Sequence, residues 1–151
     1  MSNLDNQAVV SIDMERCFFP ESEGRRLHTE GFGALAVTGA ESTIFTANWV
    51  SETAHRLGIE IVHTLDKHPA PTTEGMTAHF SDEPNYRDSW PVHGVDGTPG
   101  SLLHPDLDIA LFPEWSTEFI KGDVVAATPE DDTSYTAALA HRRGDTLLLP
   151  D

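Results

Sequence analysis

Apolar residues gather first in Ala8-Val9-Val10-Ser11-Ile12, a short β-rich run that ends in Asp13 and predicts a buried strand with a carboxylate at its exit. From Thr38 the period changes. Thr38-Gly39-Ala40-Glu41 has capping-box spacing, and Ile44, Ala47, Val50, Ala54 and Leu57 recur at helical intervals as far as Gly58, predicting an amphipathic helix with both ends marked. Trp49 on this helix is assigned to packing. Residues 59–65 read as a second strand with Asp66 at its exit, so strand, helix and strand follow in the order of a right-handed parallel crossover. Residues 66 to about 116 carry most of the prolines and no sustained period, which marks a long functional loop. A third strand is predicted near 118–121, a helix over 134–143 closed by Gly144, and a fourth strand over 145–149. The pattern predicts a three-layer α/β/α fold around a parallel sheet, in a single domain over residues 1–151. Functional groups in such sheets gather beyond the carboxyl ends of the strands, so Asp13, Asp66 and Lys121 are expected at one end.

Composition narrows the partners. A hydrophobic fraction of 38%, with three Trp and seven Phe, supports a packed core over disorder. Twenty-five acidic residues against nine basic ones give a net charge of −16, which repels phosphate backbones and anionic membrane surfaces, so neither nucleic acid nor membrane is an expected partner. The single cysteine, Cys17, excludes an internal disulfide. The N-terminus has neither a basic start nor a long apolar run, and a cytoplasmic location is expected.

Within the long loop, Asp66-x-His68 sets a carboxylate and an imidazole two residues apart, with His79 and His93 following. Such donors together suit zinc, iron or manganese, although an isolated Asp-x-His pair is equally at home in an ordinary hydrogen-bonded loop.

The stretch "HFSDEPNYRDSWPVHGVDGTPGSLLHPDL", residues 79–107, decides more. Together with "SIDMERCFFP" near the start and "EFIKGDV" later, it closely resembles the nicotinamidase/pyrazinamidase branch of the isochorismatase-like cysteine hydrolases. Asp-x-His, His-Phe, Trp-Pro-x-His, Gly-Thr-Pro-Gly and His-Pro all occur in family order. The resemblance implies hydrolysis of a pyridine carboxamide, nicotinamide to nicotinate and ammonia in pyridine nucleotide salvage. It implies one divalent transition metal held by Asp66, His68 and His93, with His79 a further ligand, whose role is to hold the pyridine nitrogen. It implies Asp13 as general base and Lys121 as the cation favouring a thiolate, with Phe18 and Trp90 lining the pyridine pocket.

The sequence departs from the family at two places. The family's nucleophile lies after the fourth strand, in a Gly-x-Ala-x-(Asp/Glu)-x-Cys turn, whereas this sequence ends at Asp151. A C-terminally incomplete isochorismatase-like fold is therefore expected, inactive as an isolated chain and prone to associate through its open sheet or to form a homo-oligomer. The alternatives are a non-catalytic metal- and pyridine-binding remnant and another isochorismatase-like amidase. Cys17, where the family usually has Asp, is read as a buried, inert thiol. Gly94 stands where the family often has a larger residue.

Overall fold

The computed structural model describes residues 7–22, 26, 30–71, 80–87 and 89–121. His79, the helix expected over 134–143 and the strand expected over 145–149 lie outside the described residues. Three strands form a parallel sheet in the order β1-β2-β3: β1 is Ala8–Ile12, β2 Glu60–Asp66 and β3 Thr117–Lys121. The register sets Ile12 beside Thr64, and Asp66 beside Lys121. Each strand falls on the segment predicted for it. β2 lies between two partners, and residues 61–65 are all buried, His63 and Thr64 among them.

Helix α1, Ile44–Leu57, crosses from β1 to β2. It stops at Gly58, whose φ of 68° is left-handed, while the amides of Gly58 and Ile59 cap the carbonyls of the last turn. Its start differs from expectation. The capping-box residues are taken up by a 3-10 turn over Ala40–Thr43, and no side chain caps α1. Instead the Ser42 and Thr43 hydroxyls donate back to the carbonyls of Gly39 and Ala40, the local bonding that makes Ser and Thr compete with a regular helix start.

The inner face of α1 meets the sheet and a short helix α2, Asp108–Leu111, in a core of Ala54, Ile61, Leu107 and Ile109. Truncating Ile109 to Ala in such a core costs about 2–5 kcal/mol. Asn48 reaches out of α1 to fix the loop ahead of α2, its amide donating to the Asp106 carbonyl and accepting from the Asp108 amide. Trp49, assigned to packing from its position on an amphipathic helix, is 61% exposed. One residue after Asn48, it points away from the stripe that Ile44, Ala47, Ser51 and Ala54 turn inward, so helical spacing placed the wrong residue in the core.

His63 lies on the α2 side of β2, with Ser116 Oγ 2.8 Å from its Nδ1 and Glu118 Oε2 3.7 Å from its Nε2. Burial pushes this imidazole below its ordinary value, opposed by the Glu118 carboxylate and aided by Lys67. A lowered folded value means that neutral His63 contributes stability present above the unfolded value of about 6.5, and lost as pH falls through the folded one. His63→Gln should therefore flatten the fall in melting temperature between about pH 6.5 and 5. Circular dichroism melts across that window check it, and parallel profiles for the two proteins would contradict it.

Candidate metal and active site

The three strand exits present Asp13, Asp66 and Lys121 side by side along the carboxyl edge of the sheet, as their positions in the sequence predict. Asp13 follows β1 with φ 53°, a left-handed conformation that Asp tolerates better than most residues but that still stores strain. The buried Thr64 holds it there. Its hydroxyl donates to Asp13 Oδ1 at 2.9 Å, while the Asp13 amide faces the Thr64 carbonyl and hydroxyl oxygens, each at 3.3 Å. The carboxylate is thereby aimed by its neighbouring strand. Lys121 enters through its backbone, as the register partner of Asp66.

Asp66, His68 and His93 form a cluster whose donor atoms lie within 4.8 Å of one another, with both histidines buried. His68 Nε2 is 3.2 Å and His93 Nε2 3.4 Å from the same oxygen, Asp66 Oδ2. The tautomer of His93 follows from its other nitrogen. Nδ1 is 2.7 Å from the Pro91 carbonyl, which can only accept, so Nδ1 carries a proton and, in the neutral ring, Nε2 turns a lone pair toward the carboxylate. A lone pair and a carboxylate facing each other in a buried setting are brought into balance by a shared cation, and an imidazole braced in this way through a backbone carbonyl is a common metal-ligand arrangement. Two nitrogens and an oxygen suit zinc, iron or manganese, so the residues present fit such an ion.

The loop around the cluster is braced by backbone. The His68 amide donates to the Gly94 carbonyl at 3.0 Å, and the Asp96 amide to the His68 carbonyl at 2.8 Å. Gly94 itself has φ 52°, and a Cβ there would stand 2.3 Å from the Asp66 carbonyl oxygen. Only glycine lets residues 93–95 approach β2 so closely here. Phe18 is brought to the cluster, its ring 5.7 Å from His93. Trp90 pairs through its backbone with Phe80, the Ser81 amide donating to its carbonyl at 2.9 Å.

Three residues near the cluster were not singled out from the sequence. Phe80 is buried with its ring edge-on to His68 at 5.1 Å and to His93 at 5.4 Å; the His-Phe element signals it. Thr64 lies inside a buried strand, where a threonine is an ordinary β-former and carries no pattern of its own. Glu15 is fully buried, and its Oε1 accepts the Asp66 amide proton. Burial pushes this carboxyl up to about 8, with the Asp66 amide opposing and the Asp13 charge adding to the rise. Two residues after Asp13 in an irregular segment, Glu15 carries no pattern that separates it from a surface carboxylate. Cys17 is buried as expected, and burial together with the Glu15 charge pushes its thiol up to about 12.

No family model matches the chain. A nicotinamidase/pyrazinamidase of Mycobacterium tuberculosis is 40% identical over 122 residues, which cover 80% of this chain and 54% of the relative. Over those residues the chain is similar to the nicotinamidase/pyrazinamidase family. It spans about half the length of that curated relative. Among solved structures, the pyrazinamidase of Pyrococcus horikoshii in complex with zinc matches with a TM-score of 0.53 and 30% identity, covering 77% of this chain and 51% of that one. An Acinetobacter baumanii nicotinamidase matches with a TM-score of 0.51 and 26% identity, covering 78% and 51%. These matches agree with the isochorismatase-like α/β fold of the described residues.

Two substitutions test the bracing of the cluster. Gly94→Ala should weaken zinc binding by about 10- to 100-fold, the usual cost of losing an outer support of a metal site, with the melting temperature of the metal-free protein lowered as well. Glu15→Gln keeps an acceptor for the Asp66 amide and should leave zinc affinity within about twofold, whereas Glu15→Ala orphans a buried N–H at a cost of about 1–3 kcal/mol. Competition titration with a zinc indicator reads both, and equal affinities for Glu15→Gln and Glu15→Ala would remove Glu15 from this role.

Proposed function

We propose that this chain serves a nicotinamidase-type amide hydrolysis, converting a pyridine carboxamide such as nicotinamide to its acid and ammonia, and that it supplies the metal- and ring-holding side of that site. The observation that carries the reading is the convergence of His68 and His93 on one oxygen of Asp66. Asp66, His68 and His93 would hold one divalent transition metal, zinc, iron or manganese, with His79 as a further ligand. Bound there, the ion would offer a Lewis-acidic position for the lone pair of a ring nitrogen. Phe18, and Trp90 by resemblance, would flank the flat ring. Asp13, aimed by Thr64, would accept a proton from the attacking group, and Lys121, beside Asp66 in the register, would stabilise negative charge developing near it.

The reading treats residues 1–151 as one unit. Its expected setting is the cytoplasm, with a small molecule as partner and with association through the sheet edge or as a homo-oligomer. The net charge of −16 disfavours nucleic acid and anionic membranes, and no described helix is long and apolar enough to cross a membrane.

A second reading, a protein that holds metal and pyridine without acyl transfer, is favoured by one observation. The single cysteine in the sequence is buried, with its thiol pushed up to about 12, so almost none of it is thiolate at neutral pH.

Metal content by mass spectrometry after dialysis tests the common core of both readings. About one equivalent is expected per chain, with Asp66→Ala/His93→Ala reducing it at least about tenfold, and undiminished metal in the double variant would refute the ligand set. Titration calorimetry should find nicotinamide binding that requires the metal. Ammonia release by the purified chain separates the readings. Cys17→Ser is expected to change neither metal content nor release, and metal-dependent release abolished by that substitution would restore Cys17 as a nucleophile.

A further inference from the structure

We propose that the groove on the α2 side of the sheet, lined by Arg16, His63, Lys67 and Ser116 among apolar side chains, is a second binding site, for a small carboxylic acid with an apolar body. The inference goes beyond amide hydrolysis and does not rest on it. Side chains of a strand alternate between its two faces, so Asp66 serves the metal cluster while His63, Leu65 and the following Lys67 turn toward this groove.

Its volume is about 450 Å³, within the range of small-molecule pockets. Its lining combines apolar Leu65, Leu103, Pro105, Ile109 and Leu111 with polar Arg16, His63, Lys67, Ser116 and Glu118. Such a combination of apolar surface and a few polar groups is the usual make-up of a small-ligand pocket.

Charge selects the ligand. Arg16 is half-buried and has no carboxylate partner among the described residues. Its Nε–H points to the Leu103 carbonyl at 3.4 Å, one terminal nitrogen donates to the Glu30 carbonyl at 3.3 Å, and the guanidinium lies 5.9 Å from the Phe32 ring centre. Carbonyls orient a guanidinium without neutralising it, and these contacts leave some of its five N–H donors for a ligand. Lys67 Nζ is 3.7 Å from Glu118 Oε1, the one carboxylate among the described residues that line the groove. His63 is held by Ser116, and burial favours its neutral form. Among the described residues, two cations thus face a single carboxylate. A monocarboxylate would complete the balance, its oxygens on Arg16 and Lys67 and its apolar part against Leu103, Ile109 and Leu111.

Calorimetric titration of the full chain with hexanoate, and with hexanamide as the uncharged isostere, tests the site. Hexanoate should bind at least about tenfold more tightly, the worth of one charge-assisted hydrogen bond, and should weaken as salt is raised. Arg16→Gln should remove that advantage and leave hexanamide unaffected. Because Arg16 also supports two loop carbonyls, Leu111→Glu provides a second variant: this rim residue is 60% exposed, and a carboxylate there should repel hexanoate by a similar factor without disturbing the fold. Asp66→Ala/His93→Ala should keep full hexanoate affinity even where it loses metal and nicotinamide. Equal binding of acid and amide, absence of hexanoate binding up to its solubility, or loss of hexanoate binding in the Asp66→Ala/His93→Ala protein would each overturn the proposal.

Discussion

The site rests on the pairing of β2 with a parallel strand on each side. Parallel register brings the carboxyl ends of adjacent strands to one edge, so Asp13, Asp66 and Lys121 become neighbours although more than 50 residues separate each from the next. No side-chain contact could gather them as reliably. The ladder of backbone hydrogen bonds fixes their order, and a slip of one residue in β2 would turn Asp66 to the opposite face and leave Lys67 among the histidines.

Backbone geometry then refines what the sheet supplies. Asp13 is held in a left-handed conformation by Thr64, and the loop carrying His93 is drawn against the end of β2 because Gly94 has no Cβ to collide with the Asp66 carbonyl. Glu15 adds a side chain that acts as though it were backbone, accepting the amide proton that β2 has at its last residue. Each of these groups is tied to a neighbouring strand or loop by at least one hydrogen bond.

The three described strands and α1 were legible because apolar runs and a terminal glycine leave few alternatives, and the grouping of Asp66, His68 and His93 was expected through the family resemblance of the motifs that hold them. The rest escaped for physical reasons. Glu15 and Thr64 act through hydrogen bonds across 51 residues of sequence, which no local period reports. Trp49 is apolar enough to satisfy any pattern of helical burial, yet lies one position off the inward stripe. The helix start was misplaced because Thr38 and Glu41 have the right spacing for a cap while Ser42 and Thr43 offer a competing set of bonds. The cationic groove was invisible because Arg16, His63 and Ser116 come from three distant segments and meet only once the sheet has formed.

The bonds made by Asn48 have a further consequence. By accepting the Asp108 amide and donating to the Asp106 carbonyl, one helix side chain takes the place of the two strand partners that an irregular segment lacks. The stretch from His104 to Leu111, which has turn bonds of its own at Leu107, Ala110 and Leu111, is tied by these two further bonds to α1. Its amides would open to solvent exchange together with the middle of that helix rather than independently, making the wall of the groove and the helix on the sheet a single cooperative unit.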